Sequence, residues 1–142
     1  MLDSWVFWAL LSAGFASLTA IFGKVGVSDV DPDFATLIRV AVILGFVVVL
    51  VLARGVAQPL TQMAPRTLVF LVLSGLATGL SWLCYYRALS LGQAAQVAPV
   101  DKLSIVMVAV IGVAFLGEAL SLVNWLGIVL IGGGAVLASL KM

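Results

Sequence analysis

Histidine is absent from this chain of 142 residues, cysteine occurs once, and charged residues make up only 9%. Without histidine the chain lacks the commonest metal ligand and the side chain best suited to shuttling protons near neutral pH. Cys84 alone cannot form an internal disulfide, and in its apolar run it reads as a small buried hydrophobe. Charge of one sign is also missing. Seven Lys/Arg stand against six Asp/Glu, with no basic stripe for nucleic acid and no acidic or basic tail. No metal-ligand spacing, phosphate-binding glycine loop or nucleophile–base arrangement occurs, so neither an enzyme nor a cofactor or metal is expected. A soluble domain would carry about a quarter charged residues to cover its surface. With 64% hydrophobic residues instead, the solvent for most of this surface is lipid.

Five stretches have the roughly twenty apolar residues that a spanning helix needs. They run from about Trp5 to Gly23, Phe34 to Leu52, Leu68 to Leu89, Ala94 to Leu116 and Leu122 to Leu140. The connections hold the breakers: Ser28 to Asp33 with Pro32, Arg54 to Arg66 with Gly55, Pro59 and Pro65, then Leu91-Gly92-Gln93, then Gly117 to Ser121. The chain opens Met1-Leu2-Asp3-Ser4 with no basic segment, so its first stretch reads as a retained helix and not as a cleaved signal. Alternation over about ten residues, the mark of a membrane barrel, appears nowhere. The expectation is an all-α integral membrane protein, a bundle of five transmembrane helices forming a single domain over residues 1–142.

Five spans place the termini on opposite sides, here called A (amino-terminal) and B. Trp5, Trp8 and Trp125 then gather near side A, where indoles favour the interface. Arg54 and Arg66 lie on side A, with Lys24, Arg87 and Lys141 on side B. Two against three is almost no bias under the positive-inside rule. That balance fits either a weakly determined single topology or a chain that inserts both ways round and pairs antiparallel.

Small residues allow close helix approach in lipid. Helix three carries Gly75-Leu-Ala-Thr-Gly79, and helix one has Ser12, Ala16 and Ala20 at the same spacing; both patterns suit packing within one subunit. Helix five has Gly127 and Gly132-Gly133-Gly134, which suit a subunit contact equally well.

Charge at membrane depth is the informative feature. Arg39 lies about five residues into helix two from side B, and Asp101-Lys102 about seven residues into helix four, roughly 10 Å at 1.5 Å per residue. Arg87 is near the side B end of helix three, and Lys24 at that end of helix one. A charge at mid-membrane costs about 2.5–3.5 kcal/mol on insertion scales, so such residues face a bundle interior, a partner or a watered cavity. Long Lys and Arg stems snorkel; Asp101 is short. One reading is an ion pair of Asp101 with Arg39 or Arg87 that fixes packing. The other is a polar vestibule for a substrate head group or coupling protons. Trp82 and Tyr86, four apart on helix three, supply an apolar wall, with Tyr85, Gln93, Gln96, Thr19 and Ser12 as further candidates. Pro99 removes a backbone hydrogen bond and bends helix four beside Asp101-Lys102.

The order of these pieces resembles the EamA family of the drug/metabolite transporter superfamily. The resemblance is carried by Trp8-Ala-Leu-Leu-Ser-Ala-Gly-Phe-Ala-Ser17, Leu37-Ile-Arg-Val-Ala41, Tyr85-Tyr-Arg-Ala-Leu-Ser-Leu-Gly92, Val97-Ala-Pro-Val-Asp-Lys-Leu-Ser104, Phe115-Leu-Gly-Glu118 and Trp125-Leu-Gly-Ile128. It implies a protein that usually has ten helices from two inverted five-helix repeats, of which this chain carries one. A lone repeat rebuilds that architecture by pairing antiparallel with another copy or a partner. Small multidrug resistance relatives carry a glutamate in helix one; this chain has no carboxylate there, which speaks against proton-coupled drug export by that route.

The resulting expectation is a secondary transporter in the cell (inner, cytoplasmic) membrane, moving a small metabolite by alternating access as an antiparallel homodimer. Arg39, Arg87 and Lys102 would bind an anionic or zwitterionic group, with Asp101, Trp82 and Tyr86 completing the site. A non-transporting subunit of a larger complex and half of a heterodimeric lipid-carrier flippase are the rival readings.

Overall fold

The computed structural model describes residues 4–140. Lys141, which enters the charge count by side, lies outside the described residues, as does Asp3. The elements are α1 (Trp5–Gly26), α2 (Pro32–Arg54), a short 3-10 turn (Leu60–Gln62), α3 (Pro65–Leu91), α4 (Ala94–Asp101), α5 (Ser104–Leu116) and α6 (Leu122–Ser139). Taking α4 and α5 as one interrupted span, five helices are long and apolar enough to cross a membrane. Among the described residues there is no strand, so the fold class is the one expected.

α1, α2 and α3 outrun the apolar stretches by two or three residues, whereas the fourth span and α6 keep to them within one residue; the ends of α2 use capping chemistry that hydropathy does not register. Asp31 caps α2, its carboxylate accepting from the N–H groups of Asp33 (2.9 Å) and Phe34 (3.2 Å), and Pro32 opens the helix with φ already set. Gly55 closes it at φ 64°, a left-handed conformation that glycine adopts without the Cβ penalty. Arg54 and Arg66 therefore sit on helix ends and not in the loop. Ser121 caps α6 by accepting from the N–H of Asn124 at 3.3 Å.

The fourth span departs from a single continuous helix. Pro99 lies inside α4, which ends at Asp101, and the chain resumes as α5 at Ser104. Through the interruption the backbone bonds over three residues: Lys102 N–H to Pro99 O (3.0 Å), Leu103 to Val100 (3.0 Å), Ile105 to Lys102 (3.0 Å) and Val106 to Leu103 (3.0 Å). The proline's missing N–H removes a bond on its amino-terminal side, at the Ala95 carbonyl. The tightening that follows belongs to the Asp101–Leu103 stretch itself.

Two compact units emerge. The first takes in most of α1 (to Lys24) and everything from Leu91 onward; the second is the α2–α3 hairpin, residues 25–90. In the first, α4 and α5 pack on α6. Gly132 makes this approach close: a Cβ there would lie 3.1 Å from Val106 Cγ2. Gly127, Gly133 and Gly134 have open space where a side chain would begin. Gly75 and Gly79 of α3 are equally open, so the expected packing of that motif within the subunit is not met. On α1, Ala20 is buried while Ser12 and Ala16 are not. Cys84 is exposed in the chain, which corrects its reading as a buried hydrophobe.

Candidate functional site

In the hairpin, the buried residues collect where α2 begins and α3 ends: Val27, Pro32 and Thr36 on one arm, Tyr86 and Leu89 on the other. Thr36 is a polar residue that the sequence reading passed over. Its hydroxyl donates to the Pro32 carbonyl at 2.8 Å, so its burial leaves it satisfied. One helical step further along lies Arg39. Because α2 begins at Pro32, Arg39 is seven residues in (39 − 32), or about 10 Å along the axis, deeper than the apolar stretch alone implied.

Arg39 reaches α3 and rests on its aromatic face. Its guanidinium carbon lies 4.2 Å from the Trp82 ring centroid and 5.3 Å from that of Tyr86. Trp82 and Tyr86 are four apart, hence on one face of α3, and Tyr86 is braced edge-on by Tyr85 at 6.4 Å. Ring quadrupoles attract the cation, by about 0.5–2 kcal/mol depending on desolvation. The rings offer no oxygen or nitrogen acceptor, and the guanidinium N–H groups, which lie in its plane, need acceptors. Arg39 Nη1 is buried and has none. Such an orphan donor is uncommon, because leaving a buried polar group unpaired costs about 1–3 kcal/mol, more when it is charged. Arg87, one residue past Tyr86, points to an exposed position.

The other two candidates lie in the first unit. Lys102 Nζ meets Asp101 Oδ2 at 3.1 Å, both side chains partly exposed. The ion pair expected of Asp101 thus forms with its sequence neighbour, at the interruption of the fourth span. In the same unit, Lys24 Nζ donates to the Gly92 carbonyl at 2.8 Å. That bond ties the end of α1 to the turn before α4, as the assignment of both to side B requires. The sequence placed Lys24 near this level but gave no sign that its partner would be a turn carbonyl.

Three of the six expected residues (Arg39, Trp82, Tyr86) are therefore in one cluster, two (Asp101, Lys102) form a separate pair, and Arg87 stands apart. Chemically, the cluster is a fixed cation in an aromatic setting with a donor to spare, and the pair is nearly neutral overall.

The sequence profile of the EamA-like transporter family matches residues 3–140. A protein from Sinorhizobium sp, named "Uncharacterized transporter in cobO 3'region", is 61% identical over 137 residues, which take in 96% of this chain and 97% of that one. No solved structure matches.

Proposed function

The chain belongs to the EamA-like transporter family, and from that premise we propose that it moves a small metabolite by alternating access, as an antiparallel homodimer in the inner (cytoplasmic) membrane. The observation that carries the site is Arg39, stacked on Trp82 and Tyr86 with one buried nitrogen unpartnered. A cation kept at membrane depth without an acceptor is a poor packing device and a ready binding group. Arg39 receives an anionic or zwitterionic group and Trp82 and Tyr86 line the apolar wall; Arg87, and Lys102 balanced by Asp101, are further anion-binding groups.

The dimer follows from parity and charge. One five-helix repeat has its termini on opposite sides, so two copies give an inverted pair only when they insert in opposite directions, and the even Lys/Arg distribution permits that. The interrupted fourth span supports alternating access, because discontinuous helices at membrane depth line transporter cavities.

Topology is tested with Cys84→Ser and Ser4→Cys, labelling with a membrane-impermeant thiol reagent before and after permeabilisation. Labelling of about half the molecules from outside is the result expected for opposed insertion; uniform labelling from one side overturns the antiparallel homodimer. Carrier function is tested in proteoliposomes loaded with a metabolite extract. Arg39→Ala and Lys102→Ala are expected to lose exchange that the unmodified protein performs, and wild-type rates in both variants would remove these residues from the site.

A further inference from the structure

We infer that the group held by Arg39 is an oxyanion presenting two oxygens to the guanidinium edge, a carboxylate or a phosphate, with Trp82 beside the bound group. The inference rests on the carrier reading above and names the chemistry of its substrate.

The argument is geometric. A guanidinium can be approached through its faces or its edges. The Trp82 and Tyr86 rings, centred 4.2 Å and 5.3 Å from its central carbon, supply no oxygen or nitrogen acceptor, so its N–H edges are what a ligand can satisfy. The edge carrying Nη1 is shut off from solvent and has no acceptor. Edge-on recognition favours ligands with two acceptor atoms spaced to match parallel N–H groups, as carboxylate and phosphate are. A spherical halide satisfies one N–H and gains no orientation. A lysine at this position would supply charge without the planar fork. Acidic residues of the hairpin do not fill the role: Asp31 is occupied capping α2, Asp33 is exposed in the first turn of α2, and Asp29 accepts from the Ser28 hydroxyl at 3.0 Å in the loop beyond. Because Nη1 is closed off, the oxyanion reaches it when the hairpin opens at this end, the step an alternating-access cycle supplies.

The stack provides its own reporter. In the full-length protein in lipid nanodiscs, Trp5→Phe, Trp8→Phe and Trp125→Phe leave Trp82 as the sole indole. Acetate, succinate and inorganic phosphate are titrated at constant ionic strength, with chloride and fluoride as monatomic anions. The expected result is a saturable change in Trp82 emission with carboxylate or phosphate and none with chloride or fluoride; whichever oxyanion saturates at lower concentration identifies the source. Arg39→Lys is expected to weaken that response by about tenfold or more, the size of one charge-assisted hydrogen bond. Equal responses to chloride, an undiminished response in Arg39→Lys, or no saturation with any oxyanion in a protein of native helix content would each overturn the inference. Exchange of a metabolite that persists without any oxyanion response would sink this inference and leave the carrier standing. Loss of both would sink the two together.

Discussion

In the unit built on α6, Lys102 meets Asp101 at 3.1 Å and Lys24 donates a hydrogen bond to the Gly92 carbonyl at 2.8 Å. In the α2–α3 hairpin, Arg39 lies on two rings with Nη1 unanswered. Both units carry cations into membrane-spanning segments, and only the first answers them with oxygen. The two also differ in how their helices are joined. Around α6, small residues bring backbones close, as at Gly132 beneath Val106. In the hairpin, long side chains bridge from one helix to the other, and burial is confined to one end. A polar group satisfied inside its own unit serves the fold. One left over, at a cost the fold does not recover, is where an external ligand gains most.

The largest expected effect comes from removing the leftover charge. Arg39→Ala deletes both the stack and the edge donor, and truncating one member of a buried charged contact costs about 2–5 kcal/mol. Substrate affinity, measured as the half-saturating concentration for exchange, should weaken by at least about thirtyfold. Trp82→Ala comes second. It removes the face contact while leaving the donor, a loss of about 1–2 kcal/mol, and Trp82→Phe should recover part of it because a smaller ring retains a quadrupole. If Trp82→Ala affected only thermal stability and not affinity, the stack would be a brace between α2 and α3, and the contrast between the units would lose its functional meaning.

How much of this contrast was legible beforehand depends on the scale of the interaction. The five spans were readable because each is written in a run of some twenty residues, and a run that long averages out local exceptions. Arg39, Trp82 and Tyr86 could each be nominated, since charge depth and i, i+4 spacing are linear features. Their meeting was not readable, because it depends on how α2 and α3 are juxtaposed, which no periodicity encodes. Asp101-Lys102 shows the converse: a distant partner was expected for Asp101, and the adjacent residue took it once the helix was interrupted. The small-residue motifs misled for a similar reason. Gly75 and Gly79 have the same spacing as many packed motifs, yet no described residue lies against them, while a close approach between helices falls on Gly132 in a run of three glycines.

That run allows a sharper test of the packing half of the comparison. Gly132→Val forces a branched side chain against Val106, where even a Cβ would sit 3.1 Å from Cγ2. Overpacking of this kind costs about 1–3 kcal/mol, and the thermal midpoint of the protein in detergent should fall. Gly133→Val, with nothing within 4 Å of its Cβ position, should leave the midpoint nearly unchanged or raise it slightly through helix propensity. Val106→Ala should restore the Gly132→Val protein, because it vacates the space in contention. Equal losses at 132 and 133 would mean that the run is packed against something other than α5, such as a second copy.

The smallest effect is expected where the charges are already answered. Asp101 and Lys102 are neighbours, so their pair closes no long loop and joins no two helices. Both side chains are partly exposed, at 37% and 53% in the chain, and exposed pairs contribute about 0–1 kcal/mol. A double-mutant cycle of Asp101→Asn and Lys102→Gln on thermal stability should therefore give a coupling below about 1 kcal/mol. A much larger coupling would show that the pair is desolvated in the working protein, by lipid or by a second copy covering the interruption of the fourth span. The two units would then differ only in which neighbour satisfies their charges, and Lys102 would rank beside Arg39 as a group waiting on something outside its own unit.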